Sequence, residues 1–346
     1  MTLPQFSECR ATCPVVRART MMLPRFSECR ATCPVSQLPP SDTDGCVRSD
    51  AAPNAPITPS SGVFTGALTT GRAEPVRAAI PSFWDGYQIG GYGGDYAAGL
   101  DVGKSAVYSV GAMPGKASVV ARKFAHRGTP HVIAVDFTFN NSASTMPIAS
   151  NISLPASWGS AAAVISTKGT VWAHDPASAA PGMACWTGNV MESEDPSLPL
   201  INLALCCTDL RTAPLDVSVP AGQTKTYSVV GVLYSTLDHA SPVTLAAKGF
   251  AAAAGLTTES RWASHVAAVD SVLGSGIEIR GNHDLAKLVN ASLHMLVASL
   301  RPEPEYWYSS SPGGLATNCY NGHTFWDMEY GGHFRHWVGL GLCVPS

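Results

Sequence analysis

The chain has no surplus of basic residues. Its 22 Lys and Arg stand against 25 Asp and Glu, for a formal net charge of −3. Binding a polyanion such as nucleic acid or an acidic membrane surface needs a positive excess, so neither is expected as a partner. Charge of either sign is scarce: only 14% of residues are charged, against the usual quarter or so. No apolar run approaches the roughly 18 residues of a membrane-spanning helix. The opening Met1-Thr-Leu-Pro-Gln-Phe-Ser-Glu-Cys-Arg10 lacks the basic stretch and apolar segment of a secretory signal. This favours a cytoplasmic location with most thiols reduced, although the chain has 10 cysteines.

Alanine, serine, threonine, 32 Gly and 26 Pro take the place of charge. That composition points to a mainly β, turn-rich protein. The N-terminal region does not read as a domain. Leu3–Val15 and Leu23–Val35 are copies differing only at Gln5 and Arg25. Two copies are too few for a stacked solenoid. Four thiolates from the paired Cys-x-x-x-Cys would suit zinc, but no apolar pattern would fold around the metal. We therefore expect a duplication within a leader, residues 1–80, that lacks regular structure. No metal and no cofactor is expected for the protein as a whole.

From about Pro81 the texture changes. Short runs rich in β-branched and aromatic residues recur at Ser105–Gly111, Ala117–Phe124, His131–Asn140, Ala161–Thr167, Val171–His174, Leu200–Cys207, Leu215–Val219 and Thr224–Tyr234. Turn residues separate them and no helical period intervenes, which predicts an antiparallel β-sandwich over residues 81–238. Ser241-Pro242 then signals a helix start. A second helix is predicted from Thr257 or Thr258 to Gly274, its apolar stripe formed by Trp262, Val266, Val269 and Leu273. A third starts at Asp284, with Leu285, Leu288, Val289, Leu293, Leu296, Val297 and Leu300 at helical spacing. Residues 239–278 thus read as a helical linker, and 279–346 as the start of a helical domain.

The stretch with the most chemical character is Tyr308–Tyr330, a Gly- and Asn-rich loop ending in Phe325-Trp326-Asp327-Met328-Glu329. A flat aromatic face beside a carboxylate suits a saccharide: the ring covers the C–H face of a sugar and the carboxylate accepts from its hydroxyls. In an extended segment Asp327 and Glu329 would share a face at roughly 7 Å, within the range of an inverting carboxylate pair. Alternatively, Trp326 is a core aromatic and Asp327 a helix N-cap. His126 and His131 read as hydrogen-bonded structural histidines, and His333 with His336 lacks a third ligand for a metal. Asn140-Asn-Ser, Asn151-Ile-Ser and Asn290-Ala-Ser match the N-glycosylation acceptor pattern, which without a signal segment reads as chance. Gly90-Gly-Tyr-Gly-Gly94 has no helix after it and reads as a turn.

The run Ser310-Ser-Pro-Gly-Gly-Leu-Ala-Thr-Asn-Cys-Tyr-Asn-Gly-His-Thr-Phe-Trp-Asp-Met-Glu-Tyr330, with Val289–Glu303 before it and Ala121–His131 upstream, resembles glycoside hydrolase family 65. That family contains acid trehalases, disaccharide phosphorylases and the glucosidase acting on glucosylgalactosyl-hydroxylysine. The likeness spans roughly Tyr92 to Tyr330 and is nearer to the eukaryotic hydrolases. It implies a β-sandwich, a helical linker and an (α/α)6 barrel. It implies that Trp326 and Asp327 hold the glucose of a glucose-containing disaccharide or glycan. It implies inverting hydrolysis, or in the phosphorylase branch phosphorolysis. The family's catalytic acid is a Glu further C-terminal, so no residue here is assigned as catalytic, Glu329 included. After Tyr330 the sequence departs from the family pattern. The expectation is therefore a barrel cut short and a polypeptide without turnover as given, or one that only binds sugar or serves structurally.

Overall fold

The computed structural model describes residues 41–42, 45–48, 62–70, 76–80, 87–154, 164–167, 170–190, 200–211, 213–274 and 277–298. The sixteen strands are β1 (Ser41–Asp42), β2 (Gly45–Arg48), β3 (Gly62–Thr70), β4 (Val76–Ile80), β5 (Gln88–Ile89), β6 (Asp95–Asp101), β7 (Ala106–Met113), β8 (Ala117–Ala125), β9 (Val132–Asn140), β10 (Ile148–Ser153), β11 (Val164–Thr167), β12 (Thr170–His174), β13 (Met183–Val190), β14 (Asn202–Thr208), β15 (Leu215–Val219) and β16 (Thr224–Ser235). Among the described residues three α-helices follow: α1 (Pro242–Ala254), α2 (Thr258–Leu273) and α3 (His283–Ala298).

Nine strands form one antiparallel sheet in the order β11-β12-β13-β14-β16-β9-β8-β7-β6. A smaller sheet, β15-β10-β5, lies over one of its faces, and together they make the sandwich predicted from the sequence. The core between them holds Phe137, Phe139, Val135 and Ile133 of β9, Trp186 of β13 and Trp172 of β12. Across from these stand Ile89, Ile152, Val217 and Val219 of the small sheet. Successive residues of a strand point to opposite faces. Val132, Val230, Val232, Ala204 and Cys206 therefore look the other way, where Ala246, Phe250 and Ala253 of α1 cover them. The centre of the large sheet is thus buried on both faces. That is why its strands read as near-continuous apolar runs, Leu203–Cys207 above all, where alternation would mark a strand with one face in water.

One expectation changes here. Regular structure begins earlier than predicted: β1 to β4 form a four-stranded sheet in the order β1-β2-β3-β4 within residues 41–80. A segment without a strong apolar pattern can still form strands when its backbone groups pair along a ladder. The expectation of mostly reduced thiols meets one exception. Cys185 and Cys206 are register partners on β13 and β14 and are joined in a disulfide. Cys207, facing the opposite side, is a buried free thiol whose pKa burial pushes up to about 12.

The turn at Gly90–Gly91 is as predicted, with positive φ at Gly91 and Gly94. Thr257 caps α2, its hydroxyl accepting from Ser260 N at 3.1 Å. Ser241 stands at the N-cap of α1, but its side chain makes no capping bond; Pro242 alone marks that start. Among the described residues no helix is long and apolar enough to cross a membrane.

Gly188 on β13 lies against the fully buried Trp172, and a β-carbon there would sit 2.5 Å from the indole. Gly188→Ala should therefore force the indole off its position and cost about 1–3 kcal/mol in urea unfolding.

Candidate functional site: the sheet–helix junction

The residues of Ala121–His131 share a location. They lie where β8, its turn into β9, and the helices meet. Arg122, Asp136 and Ser228 are in register across β8, β9 and β16, and all three point to the helical side. Asp136 is 1% exposed. Its Oδ2 accepts from Arg122 Nη2 at 2.7 Å and Nε at 3.2 Å. Its Oδ1 accepts from Ser228 Oγ at 2.5 Å and lies 3.6 Å from Arg261 Nη2 of α2. A buried carboxylate is tolerated only when its charge and lone pairs are met in this way.

The helix is held at the same point by further bonds. Thr258 Oγ1 is 2.7 Å from Ser228 Oγ. Arg261 Nη1 donates to Ala253 O at 2.9 Å and so ties α2 to the end of α1. The Arg122 guanidinium lies 4.0 Å from the centre of the Trp262 ring, a cation–π contact shielded from water on its sheet side. Arg122 is thereby engaged both in its plane and on its face.

Next to this node is a cluster of histidines. His265 is fully buried among Phe124, Trp262 and His126. Its Nδ1 accepts from Arg127 N at 3.1 Å, so its Nε2 carries the proton and donates to Lys104 O at 2.8 Å. Burial lowers its pKa to about 4. His126 bonds Ser264 Oγ at 2.9 Å and its pKa is also lowered, mainly by burial. His294 of α3 pairs with Ser105 Oγ at 3.0 Å, lowered by burial and by the positive charge of Arg127. Arg127 itself donates to Val297 O, at the C-terminal end of α3, at 3.2 Å. The β8–β9 turn therefore holds both α2 and the last turn of α3. Gly128 permits it, since a β-carbon there would come within 3.1 Å of the Ala268 methyl.

His131 has the structural part expected of it. It bonds Leu233 O at 2.8 Å and stacks on Tyr234 with 3.8 Å between ring centres. The buried stripe of α2 differs from the predicted one. It consists of Arg261, His265 and Val269, with Trp262 at its edge. Two polar residues occupy core positions because the sheet supplies partners for them. Sequence reading passed over Asp136, Arg261 and His265; the available signal was a polar pair at i and i+4 continued by Val269 at i+8. On α3 the predicted stripe is only partly buried: Leu285 and Leu288 remain 44% and 64% exposed.

Trp326 and Asp327, the residues expected to hold glucose, lie outside the described residues, as do Glu329, His333 and His336. Among the described residues no three His, Cys, Asp or Glu side chains converge as a metal would require.

No family model matches the chain. Two curated relatives do. The protein-glucosylgalactosylhydroxylysine glucosidase of Dictyostelium discoideum is 46% identical over 66 residues, which is 19% of this chain and 9% of the relative. The kojibiose hydrolase of Flavobacterium johnsoniae is 30% identical over 122 residues, 35% of this chain and 18% of the relative. The matched stretches thus span less than a fifth of either relative. Among solved structures, one assigned as a kojibiose phosphorylase from the human microbiome superposes with a TM-score of 0.56. It has 11% identity and covers 84% of this chain and 43% of that one. At that identity the likeness concerns the fold.

Two measurements probe the junction. Asp136→Asn leaves Arg122 and Arg261 facing a neutral amide in a buried site and should cost about 3–5 kcal/mol of stability. The histidines set a pH dependence. Their folded pKa values lie below the free value of about 6.5, so the unfolded chain binds more protons in that range. Stability should be full above pH 6.5 and fall as pH drops towards 4. His265→Gln keeps an acceptor and a donor without the titration. Its unfolding free energy from urea titration should fall by about 1–3 kcal/mol less between pH 6.5 and 4.5 than that of the unsubstituted protein.

Proposed function

We propose that this protein is of the glycoside hydrolase family 65 type and serves the inverting hydrolysis of a glucosyl disaccharide or of a glucosyl-galactosyl unit. The observation that carries this is the run Gly314-Leu-Ala-Thr-Asn-Cys-Tyr-Asn-Gly-His-Thr-Phe-Trp-Asp-Met-Glu329. It occurs in a chain whose curated relatives are, by name, a glucosylgalactosylhydroxylysine glucosidase and a kojibiose hydrolase. The order of a sandwich followed by α1, α2 and α3 is further support, because the resemblance assigns α3 to the start of an (α/α)6 barrel.

In this reading Trp326 covers one face of the glucose and Asp327 accepts from its hydroxyls. The resemblance places the acid that protonates the leaving oxygen on a Glu C-terminal to this pair. Inversion requires a water activated on the opposite face of the sugar from that acid. The junction described above does no chemistry here. Its part is to fix the first barrel helix relative to the sandwich through Arg127 and His294, so that the loop following that helix begins from a defined position.

The test uses the gene product from its own cells, with kojibiose and glucosyl-galactose as substrates. Free glucose is the expected product. Glucose 1-phosphate formed only with inorganic phosphate present would favour the phosphorylase branch, and no turnover of any glucoside by a gene product that carries a Glu-bearing barrel segment C-terminal to Trp326 and Asp327 would contradict the proposal. Asp327→Ala should lower kcat/KM by about a hundredfold or more, since it removes charge-assisted bonds of about 1.5–3 kcal/mol each. Trp326→Ala should raise KM more than it lowers kcat.

A further inference from the structure

Three acceptor sequences for N-glycosylation occur in the chain, and the structure separates them. Asn140 is exposed at the end of β9. Its Oδ1 accepts from Ser142 N at 3.0 Å, which closes a turn between the asparagine and the hydroxyl residue of its own Asn-x-Ser triplet. Thr224 Oγ1 donates to the same oxygen at 3.4 Å. Both contacts use the carbonyl oxygen of an exposed side chain. The neighbouring Asn141 shows the contrast. It is fully buried, and its Nδ2 is engaged by Met146 O, Val219 O and Pro220 O. Asn151 is also exposed. It lies on β10 beside the buried Ile152, opposite Asp216. Asn290 differs from both. It is partly buried in α3, and its Nδ2 donates to Ala286 O at 2.8 Å.

A second, independent observation concerns the environment in which the chain folds. Cys185 and Cys206 are paired in register, both fully buried beneath α1, and bonded to each other. Structural disulfides form and persist where thiols are oxidised, and the same compartments carry out N-glycosylation. The disulfide weighs against a reducing compartment, and so against reading the acceptor triplets as chance.

We propose that Asn140 and Asn151 carry N-linked glycans and that the chain matures in an oxidising compartment. In the transfer, Nδ2 of each asparagine forms a bond to C1 of an oligosaccharide carried on a lipid diphosphate. The C1–oxygen bond to the diphosphate breaks, and the amide proton leaves with the released lipid diphosphate. In the oxidation, Cys185 and Cys206 give two electrons and two protons to a disulfide of an oxidising partner protein, which becomes a dithiol. A glycan on Asn151 stands on the outer face of the small sheet, on the side of the sandwich away from α1, and leaves the helix junction uncovered. This inference rests on the fold alone and is independent of the catalytic proposal.

The test is peptide mass spectrometry of the full chain isolated from its own cells and deglycosylated by an amidase in ¹⁸O water, which converts each glycosylated asparagine to labelled aspartate. Label is expected at Asn140 and Asn151 and not at Asn290. Non-reduced digests should link the peptides of Cys185 and Cys206. Ser142→Ala and Ser153→Ala, which keep both asparagines, should each remove one glycan's step in gel mobility. Unlabelled Asn140 and Asn151 would overturn the glycan sites whatever the state of Asn290, and label at one alone would overturn the other. Reduced Cys185 and Cys206 in the freshly trapped protein would overturn the oxidising compartment.

Discussion

The carboxylate of Asp136 is the point on which the rest of the arrangement depends. It is inside the protein, on β9 beside the middle strand of the large sheet, and it meets a sheet arginine, a sheet serine and a helix arginine. An ion placed there without partners would cost several kcal/mol. Arg122 and Ser228 come to it by strand register alone. Arg261 comes only if α2 is seated on the sheet. The interaction therefore links a choice of secondary structure, the register of β8, β9 and β16, to a choice of tertiary structure, the seat of the second helix. Trp262 over Arg122 and the buried His265 add apolar and hydrogen-bonding surface to the same seat.

From that seat the constraint passes to α3. The turn that connects β8 to β9 donates a backbone N–H to His265 of α2 and a guanidinium N–H to the last turn of α3. One short segment thus holds two helices. In the proposed function the sandwich contributes by holding α3, the helix that precedes Trp326 and Asp327 in the sequence.

Much of the fold is legible in the sequence because its local signals agree. Leu215–Val219 is the strand predicted, and β8, β9 and β16 differ from prediction by a residue at one end. Pro242 and Thr257 mark helix starts with their own chemistry. The strands that escaped notice are those with weak local signals. β6 reads Asp-Tyr-Ala-Ala-Gly-Leu-Asp, and β13 carries Gly188 where Trp172 needs room. These form strands because the sheet edge offers hydrogen bonds and the core offers packing, neither of which is written in a seven-residue window. The junction was hidden for a related reason. Arg261 and His265 look like surface residues of a helix until the carboxylate and carbonyls that receive them are in view. The Arg-Lys-Phe-Ala-His-Arg run could be noticed as a pattern, but its purpose, joining sheet to helices, depends on partners more than 100 residues away.

The claim that the sheet and the helical segment are one cooperative unit joined at Asp136 is tested most directly by hydrogen exchange under native conditions. The amides of β9 and those of α2 should open with the same free energy and the same denaturant dependence, as parts of a single unit. Exchange of α2 at low, local opening energies while β9 stays protected to the global limit would contradict it. The helices would then rest on the sandwich without being fixed by it.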